Sequence, residues 1–343
     1  MVRKYFALAN SAGGFTNLME NNLEGLNKII TISGDSKKQK TEILEAVLKR
    51  AEEAECVVNP FDIKNIDAVI IREMGVAVVD RDLVPEGFSS ENIDLYEVNC
   101  RPTGEVGELL QKGKWALGEM YKCYDDAKII HDEWEKIYMQ CMDYKRLEAY
   151  EKGVIDHLFS GKKGASGNRN YHRFFGASTP DGSVNYIDNL TETLSERFFI
   201  KGRAGTGKST FLKRLVHEAN EKGFDTEIYY CSFDKASLDM VIVPELDFCV
   251  FDSTAPHEMF PQTKRDKILD FYEESGLLGT DEKYEKELSD VQTRYKYKIS
   301  EGMAFLRLCK LYMKEKEHYL AKGLCEKEFS ALKDAVIKEV FQN

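Results

Sequence analysis

The chain repeats itself, and the repeat constrains its architecture more than any single motif. Displaced by 168 residues, Tyr5 to Glu53 matches Arg173 to Glu221 at 13 of 49 ungapped positions, against roughly three expected from ordinary composition. Phe6 falls on Phe174, Gly14 on Gly182, Asn17 on Asn185, Glu24 on Glu192, Gly34 on Gly202 and Lys40 on Lys208. A second block, displaced by 172, sets Asp67 on Asp239, Glu73 on Glu245 and Asp80 on Asp252. One folding unit is therefore used twice. A chain of 343 residues with 43% hydrophobic content can fill two cores of ordinary size. The small, polar, Gly-rich run Ser160 to Asn168 separates the copies. We expect lobes at 1–160 and 171–343 joined by a linker at 161–170.

The second copy carries the chemistry. Gly202-Arg203-Ala204-Gly205-Thr206-Gly207-Lys208-Ser209-Thr210 fits G-x-x-x-x-G-K-[ST], behind the apolar run Arg197 to Ile200 and ahead of an amphipathic stripe of Phe211, Leu212, Leu215, Val216 and Ala219. Strand, loop and helix follow in the order that a phosphate cradle needs, because only a side-chain-poor loop at a helix N-terminus crowds enough N–H donors around phosphates. In this reading Lys208 reaches the β and γ phosphates and Ser209 takes a place on Mg²⁺. The second metal-side acid is Asp252, at the end of the buried strand Phe248 to Asp252. Phe224 to Ser232 supplies a further strand between them in sequence.

The first copy keeps Gly34, Lys40 and Thr41 but sets Lys37 and Gln39 where Gly205 and Gly207 stand. A Cβ at each position disfavours left-handed backbone and crowds the phosphates, and Asp35 adds a like charge. This loop reads as degenerate; a second working site that tolerates Gln39 is the alternative. Lys28 to Ser33 reads as strand, Thr41 to Ala54 as helix and Gly75 to Asp80 as buried strand.

No proline lies between Pro102 and Pro180 or after Pro261. The charged, helically periodic runs Gly104 to Leu158 and Asp281 to Phe341 therefore predict a helical hairpin appended to each α/β core. Leu109, Trp115, Ile129, Ile130 and Tyr138 are expected to face inward in the first, and Leu288, Met303, Leu306 and Leu311 in the second. These hairpins dock a partner or pack the lobes together.

No leader and no apolar stretch of about 18 residues is read, and the eight cysteines form no C-x-x-C pair. A soluble, reducing, cytoplasmic setting is expected, without membrane association. The net charge of -11 argues against a broad nucleic-acid surface. Arg294-Tyr295-Lys296-Tyr297-Lys298 is read as one solvated and one packed helix face.

The residue after Asp252 is Ser253, where hydrolytic ATPases set a water-polarising Glu. His257, Glu258 and Glu245 are the remaining candidates near the γ-phosphate end, with His257 able to act as base or to fix its loop. Thr263-Lys264-Arg265-Asp266 resembles a guanine-reading T-K-x-D but follows Asp252 too closely, so ATP is the expected nucleotide.

The runs FFIKGRAGTGKSTFLKRL, CSFDKASLDMVIVPEL and VFDSTAPHEMFP, preceded by their weaker copy, resemble tandem P-loop ATPase-like proteins of spore-forming Gram-positive bacteria across essentially the whole chain. The resemblance implies NTP binding by duplicated P-loop lobes and no particular substrate. Three functions fit: a switch-type ATPase in which the first lobe is a built-in partner, a P-loop kinase acting on a small molecule or nucleotide, or a nucleotide-gated binding module with negligible hydrolysis. A fragment beginning near Gly167 is expected to bind ATP by itself but turn it over more slowly.

Overall fold

The computed structural model describes residues 1–97, 104–165 and 167–341. The first half runs β1 (Val2–Tyr5), a hairpin of β2 (Leu8–Ser11) and β3 (Gly14–Asn17), α1 (Met19–Leu23), β4 (Lys28–Ser33), α2 (Lys37–Leu48), β5 (Ala54–Val58), β6 (Ile66–Ile71), β7 (Val76–Asp80), β8 (Glu91–Asp94), α3 (Gly104–Met139) and α4 (Tyr144–Phe159). The second half repeats it as β9 (Asn170–Arg173), β10 (Gly176–Thr179), β11 (Gly182–Asn185), α5 (Ile187–Thr191), β12 (Glu196–Lys201), α6 (Lys208–Glu221), β13 (Thr226–Tyr230), β14 (Leu238–Val243), β15 (Phe248–Asp252) and β16 (Asp266–Asp270). Two short helices, α7 (Phe271–Glu274) and α8 (Thr280–Lys283), precede α9 (Glu285–Ala321) and α10 (Glu326–Phe341).

Each half builds a six-stranded sheet, β1-β5-β6-β7-β4-β8 and β9-β13-β14-β15-β12-β16, in the same order. The protein is thus α/β, with the unit duplicated. The sheets are not wholly parallel: β6 and β14 each run against both neighbours. The inner strands are buried on both faces, so their side chains alternate between cores. Phe198 and Ile200 face α6, whereas Phe199 faces the middle of the molecule together with Cys249 and Phe251.

That middle layer joins the halves. Phe6 and Phe174, equivalent residues of the repeat, exchange both backbone hydrogen bonds, at 2.9 and 2.8 Å. A residue that pairs with its own equivalent lies on a local two-fold axis. Beside it Arg173, 1% exposed, reaches Glu55 at 2.7 Å and Glu227 at 3.4 Å. Arg72 completes the pairing of Glu55, and Arg3 that of Glu227. Burial would push both carboxyls up, but Arg173 with Arg72 on Glu55, and Arg3 with Arg173 on Glu227, outweigh it and hold each at about 2.

The expected appended hairpins are not hairpins. α3 lies antiparallel along α9 of the other half, with Asp126 on Lys298 at 3.1 Å, Glu133 on Arg294 at 2.7 Å and Tyr138 on Asp281 at 2.8 Å. Trp115, Ile129 and Leu311, expected to be inward, are exposed, because each long helix has one partner and one solvated face. α4 packs onto the second half's core through Leu147, Leu158 and Phe159, and α10 onto the first half's core through Phe329, Val336 and Val340. The halves exchange their last helices. The helix read from Thr41 to Ala54 spans Lys37–Leu48 instead, since Ala54 opens β5. The Gly-rich run is anchored: Gly164 N–H donates to Lys222 O at 2.8 Å. No helix among the described residues is long and apolar enough to cross a membrane.

This exchange changes the outcome expected of separated lobes. Without α4 the second core would expose Phe211, Leu212 and Leu215 as well as losing three large apolar side chains, at about 1.5–3 kcal/mol each, against a typical total stability of about 5–15 kcal/mol. Fragments 1–165 and 167–343 are each expected to be insoluble alone and to yield a soluble complex when co-expressed; a soluble, cooperatively melting 167–343 would refute this. The depressed Glu55 and Glu227 contribute stability that is complete above their ordinary value of 4.5 and is lost as pH falls toward about 2. The Tm should fall steeply between pH 4.5 and 2.5, and a flat Tm there would contradict the pairing.

Candidate functional site

The loop Gly202–Thr210 leaves the C-terminal end of β12 and enters α6, whose N-cap is Gly207 at φ +83°. Gly205 has φ +75°, so both glycines hold left-handed backbone that Cβ-bearing residues resist. The first amides of α6 have no intrahelical acceptor. Lys208 Nζ donates to Arg203 O at 2.7 Å and lies 3.6 Å from Asp252 Oδ2. The Thr206 hydroxyl donates to Arg203 O, bracing the turn at 2.8 Å. The Arg203 side chain turns away to Asp281 at 2.7 Å and stacks on Tyr272, so only its backbone belongs to the loop. Ala204 is half-buried in the turn and Thr210 is exposed on α6.

Ser209 and Asp252 meet a third group that the sequence reading left without a role. Ser209 Oγ accepts the Leu238 N–H at 2.9 Å, at the start of β14. Because β14 is antiparallel to β15, with Met240 opposite Phe251, Asp239 falls beside Asp252. Burial and the Asp252 charge push the Asp239 carboxyl up to about 8. The same reversal carries Glu245 to the opposite end of the sheet, in the turn Pro244–Leu246 next to the start of β15. Glu245 is thereby removed from the candidates.

The two candidates after Asp252, His257 and Glu258, have different surroundings. His257 is half-buried, edge-on against Phe175 at 4.9 Å between ring centres; desolvation lowers its pKa against the opposing Asp252 charge, and its Nδ1 has no partner among the described residues. Glu258 is exposed, 3.8 Å from Lys201. Asp266 of the T-K-x-D run holds Arg197 at 2.7 Å and accepts the Gln262 and Thr263 N–H groups, a structural role.

The first half shows the same place in another state. Lys37 to Gln39, lacking glycine, adopt helical backbone, so α2 begins one turn earlier than α6 and is capped by Ser36. Lys37 Nζ stands between Asp67 at 2.5 Å and Asp80 at 2.8 Å, the equivalents of Asp239 and Asp252. Lys40 Nζ adds a contact to Asp80 at 2.6 Å. Burial opposes the Lys37 charge, but the two aspartates more than offset it and raise its pKa. At the helix N-terminus, the Lys37 N–H donates to Glu317 Oε1 at 2.8 Å and Ser36 Oγ to Glu317 Oε2 at 2.6 Å. The first half thus holds an ammonium between its two aspartates and a carboxylate on its helix amides.

Both loops are roofed by the opposite half's helices. A Cβ on Gly205 would lie 2.9 Å from the Glu135 carbonyl oxygen of α3, and one on Gly207 3.3 Å from Leu147 of α4. Comparison of the chain with protein-family models, curated proteins and solved structures finds no match.

Ionising Asp239 is costly in the folded protein. Its raised pKa means that folding favours the protonated form, so its contribution falls as pH rises from about 4 to about 8. Asp239→Asn should raise the Tm at pH 8 without added metal and flatten the decline between pH 5 and 8; an unchanged slope would remove Asp239 as its source.

Proposed function

We propose that the protein is a P-loop NTPase of switch type, binding ATP and Mg²⁺ on its second lobe, with the first lobe a pseudo-NTPase that supplies its own ligands. One comparison inside the molecule carries this reading. Where Lys37 places an ammonium between Asp67 and Asp80, the second lobe has Gly205 and a carboxylate pair, Asp239 and Asp252, met only at 3.6 Å by Lys208. A divalent cation supplies the positive charge that this pair calls for. Where Glu317 sits on the first amides of α2, the second lobe offers a glycine cradle suited to phosphates.

In this reading the amides of Gly202 to Thr210 would hold the phosphates, with Lys208 reaching toward the β and γ groups. Ser209 and Asp252 would hold Mg²⁺, with Asp239 beside Asp252. Mg²⁺ would neutralise developing charge on the γ-phosphoryl group. α3 and α4 roof the loop, so nucleotide occupancy is communicated to the first lobe through helices that belong to it.

Ser253 favours a second reading. Its hydroxyl is committed to Met259 O at 2.8 Å, so it cannot polarise water, as phosphoryl transfer to an acceptor would allow. Incubation with ATP and a metabolite pool separates the readings by whether phosphate appears free, on an acceptor, or nowhere.

Lys208→Ala should abolish ATP binding by calorimetry. Lys40→Ala should leave binding in place while lowering the Tm, because Lys40 is buried against Asp80. Equal loss of binding in both variants would sink the division of labour between the lobes. Asp252→Asn should cost Mg²⁺-dependent turnover more than nucleotide affinity, and unchanged turnover at limiting Mg²⁺ would remove it from the site.

A further inference from the structure

The exchanged helices carry the repeat beyond the sheets. The ends of α3 and α9 (Met139, Ala321), the starts of α4 and α10 (Tyr144, Glu326) and their ends (Phe159, Phe341) are all 182 residues apart. The core contacts keep this spacing, with Leu147 answering Phe329 and Leu158 answering Val340. On the same spacing Glu135 answers Glu317. Glu317 reaches across to the first lobe and seats its carboxylate on the helix N-terminus at Lys37 N, the equivalent of Gly205 N. Glu135 occupies the mirrored place on the second lobe: its Cβ is 3.0 Å from where a Cβ on Gly205 would stand.

We propose that Glu135 is an internal competitor for the phosphate seat of the second lobe, holding the loop until nucleotide displaces it. The proposal rests on the P-loop reading of Gly202–Thr210. In the present structure the Glu135 carboxylate faces His131, 3.7 Å from Nδ1, while its backbone stays against Gly205. To take the position that Glu317 adopts, the Glu135 carboxylate would turn from His131 toward the loop. The two lobes thus show the two ends of the motion, and they differ for a physical reason. In the first, the two ammonium groups of Lys37 and Lys40 offset the charges of Asp67 and Asp80, so a carboxylate on the nearby Lys37 amide meets no uncompensated negative pair. In the second, among the described residues Lys208 is the one cation in ion-pair reach of these acids, 3.6 Å from Asp252, so fewer positive charges stand near the seat and a carboxylate there is held less firmly. A negatively charged competitor suits an anionic ligand, because the same N–H groups and the same helix N-terminus attract both. Release also has a path outward. α3 is tied along its length to α9, whose far end bears Glu317 on the first lobe, so lifting Glu135 from the second seat loads the helix pair that holds the first.

The test uses the full chain without nucleotide and with Mg·ATP. Glu135→Gln removes the charge and Glu135→Asp shortens its reach; both should bind Mg·ATP about three- to tenfold more tightly than the natural protein. In the nucleotide-free state, amide hydrogen exchange of residues 202–210 should be faster in both variants. Affinity equal to or weaker than that of the natural protein overturns the proposal. A fall in turnover at unchanged affinity also overturns it, placing Glu135 in the chemistry as the missing water-polarising acid. Should the natural protein bind no nucleotide, the P-loop reading fails. Exchange then still decides the competitor: faster exchange in the variants upholds occupancy of the amides by Glu135, and equal exchange rejects it.

Discussion

Everything in this molecule hangs on the pairing of Phe6 with Phe174. Two short backbone hydrogen bonds between equivalent residues place the halves about a local two-fold axis, and the neighbouring side chains then have no freedom to arrange themselves otherwise. Arg173 is drawn into a layer where Glu55 and Glu227, themselves repeat equivalents, converge from opposite lobes. A lone guanidinium or a lone carboxylate in that layer would be unaffordable; together with Arg3, Arg72, Tyr5 and Tyr229 they satisfy one another. Burial of this kind adds little net stability compared with an apolar layer, but it penalises every misregistered docking of the two lobes, since each would strand a charge.

From that axis the exchange of helices follows. α3 must leave its own sheet to lie along α9, and the four-residue turns after each long helix then deliver α4 and α10 to the other lobe's outer face. The outcome is a chain in which neither α/β unit completes its own core. It also makes the contact between loop and roof an interaction between lobes, so that any event at Gly205 is felt by α3 without a separate transmitting device.

How much of this the sequence made legible depends on what each feature required. β7 and β15 are legible because apolar runs ending in an acid leave few alternatives, and β4, β12 and the loop because an apolar run followed by glycine and lysine at fixed spacing has few other uses. β6 and β14 are not, since Ile66 to Ile71 and Leu238 to Val243 are buried on both faces and their apolar residues carry no sign of strand direction. That one missing sign misplaced Glu245 and concealed Asp239, although the repeat had already aligned Asp239 with Asp67. Exchange of the long helices was invisible for a related reason: an apolar stripe demands a partner but does not say which. Glu135 lay among many acids on a charged helix and acquires meaning only through Glu317 and the loop it abuts.

On the proposed function, the two lobes also explain how one could dispense with a ligand site without losing its fold. Two aspartates side by side at the ends of β6 and β7 repel each other and resist burial. An uncompensated pair of this kind is costly to bury, as the Asp239 carboxyl, pushed up to about 8 by burial and the Asp252 charge, illustrates in the second lobe. Replacing the inner glycine with Lys37 answers this in one step. The Cβ converts the left-handed loop into a further turn of α2, and that turn carries the ammonium to the midpoint between Asp67 and Asp80. The new helix terminus then needs an anion, and Glu317 meets the need from the opposite lobe. Loss of the glycines, gain of the lysine and capture of the glutamate are therefore one coupled change, each member costly without the others.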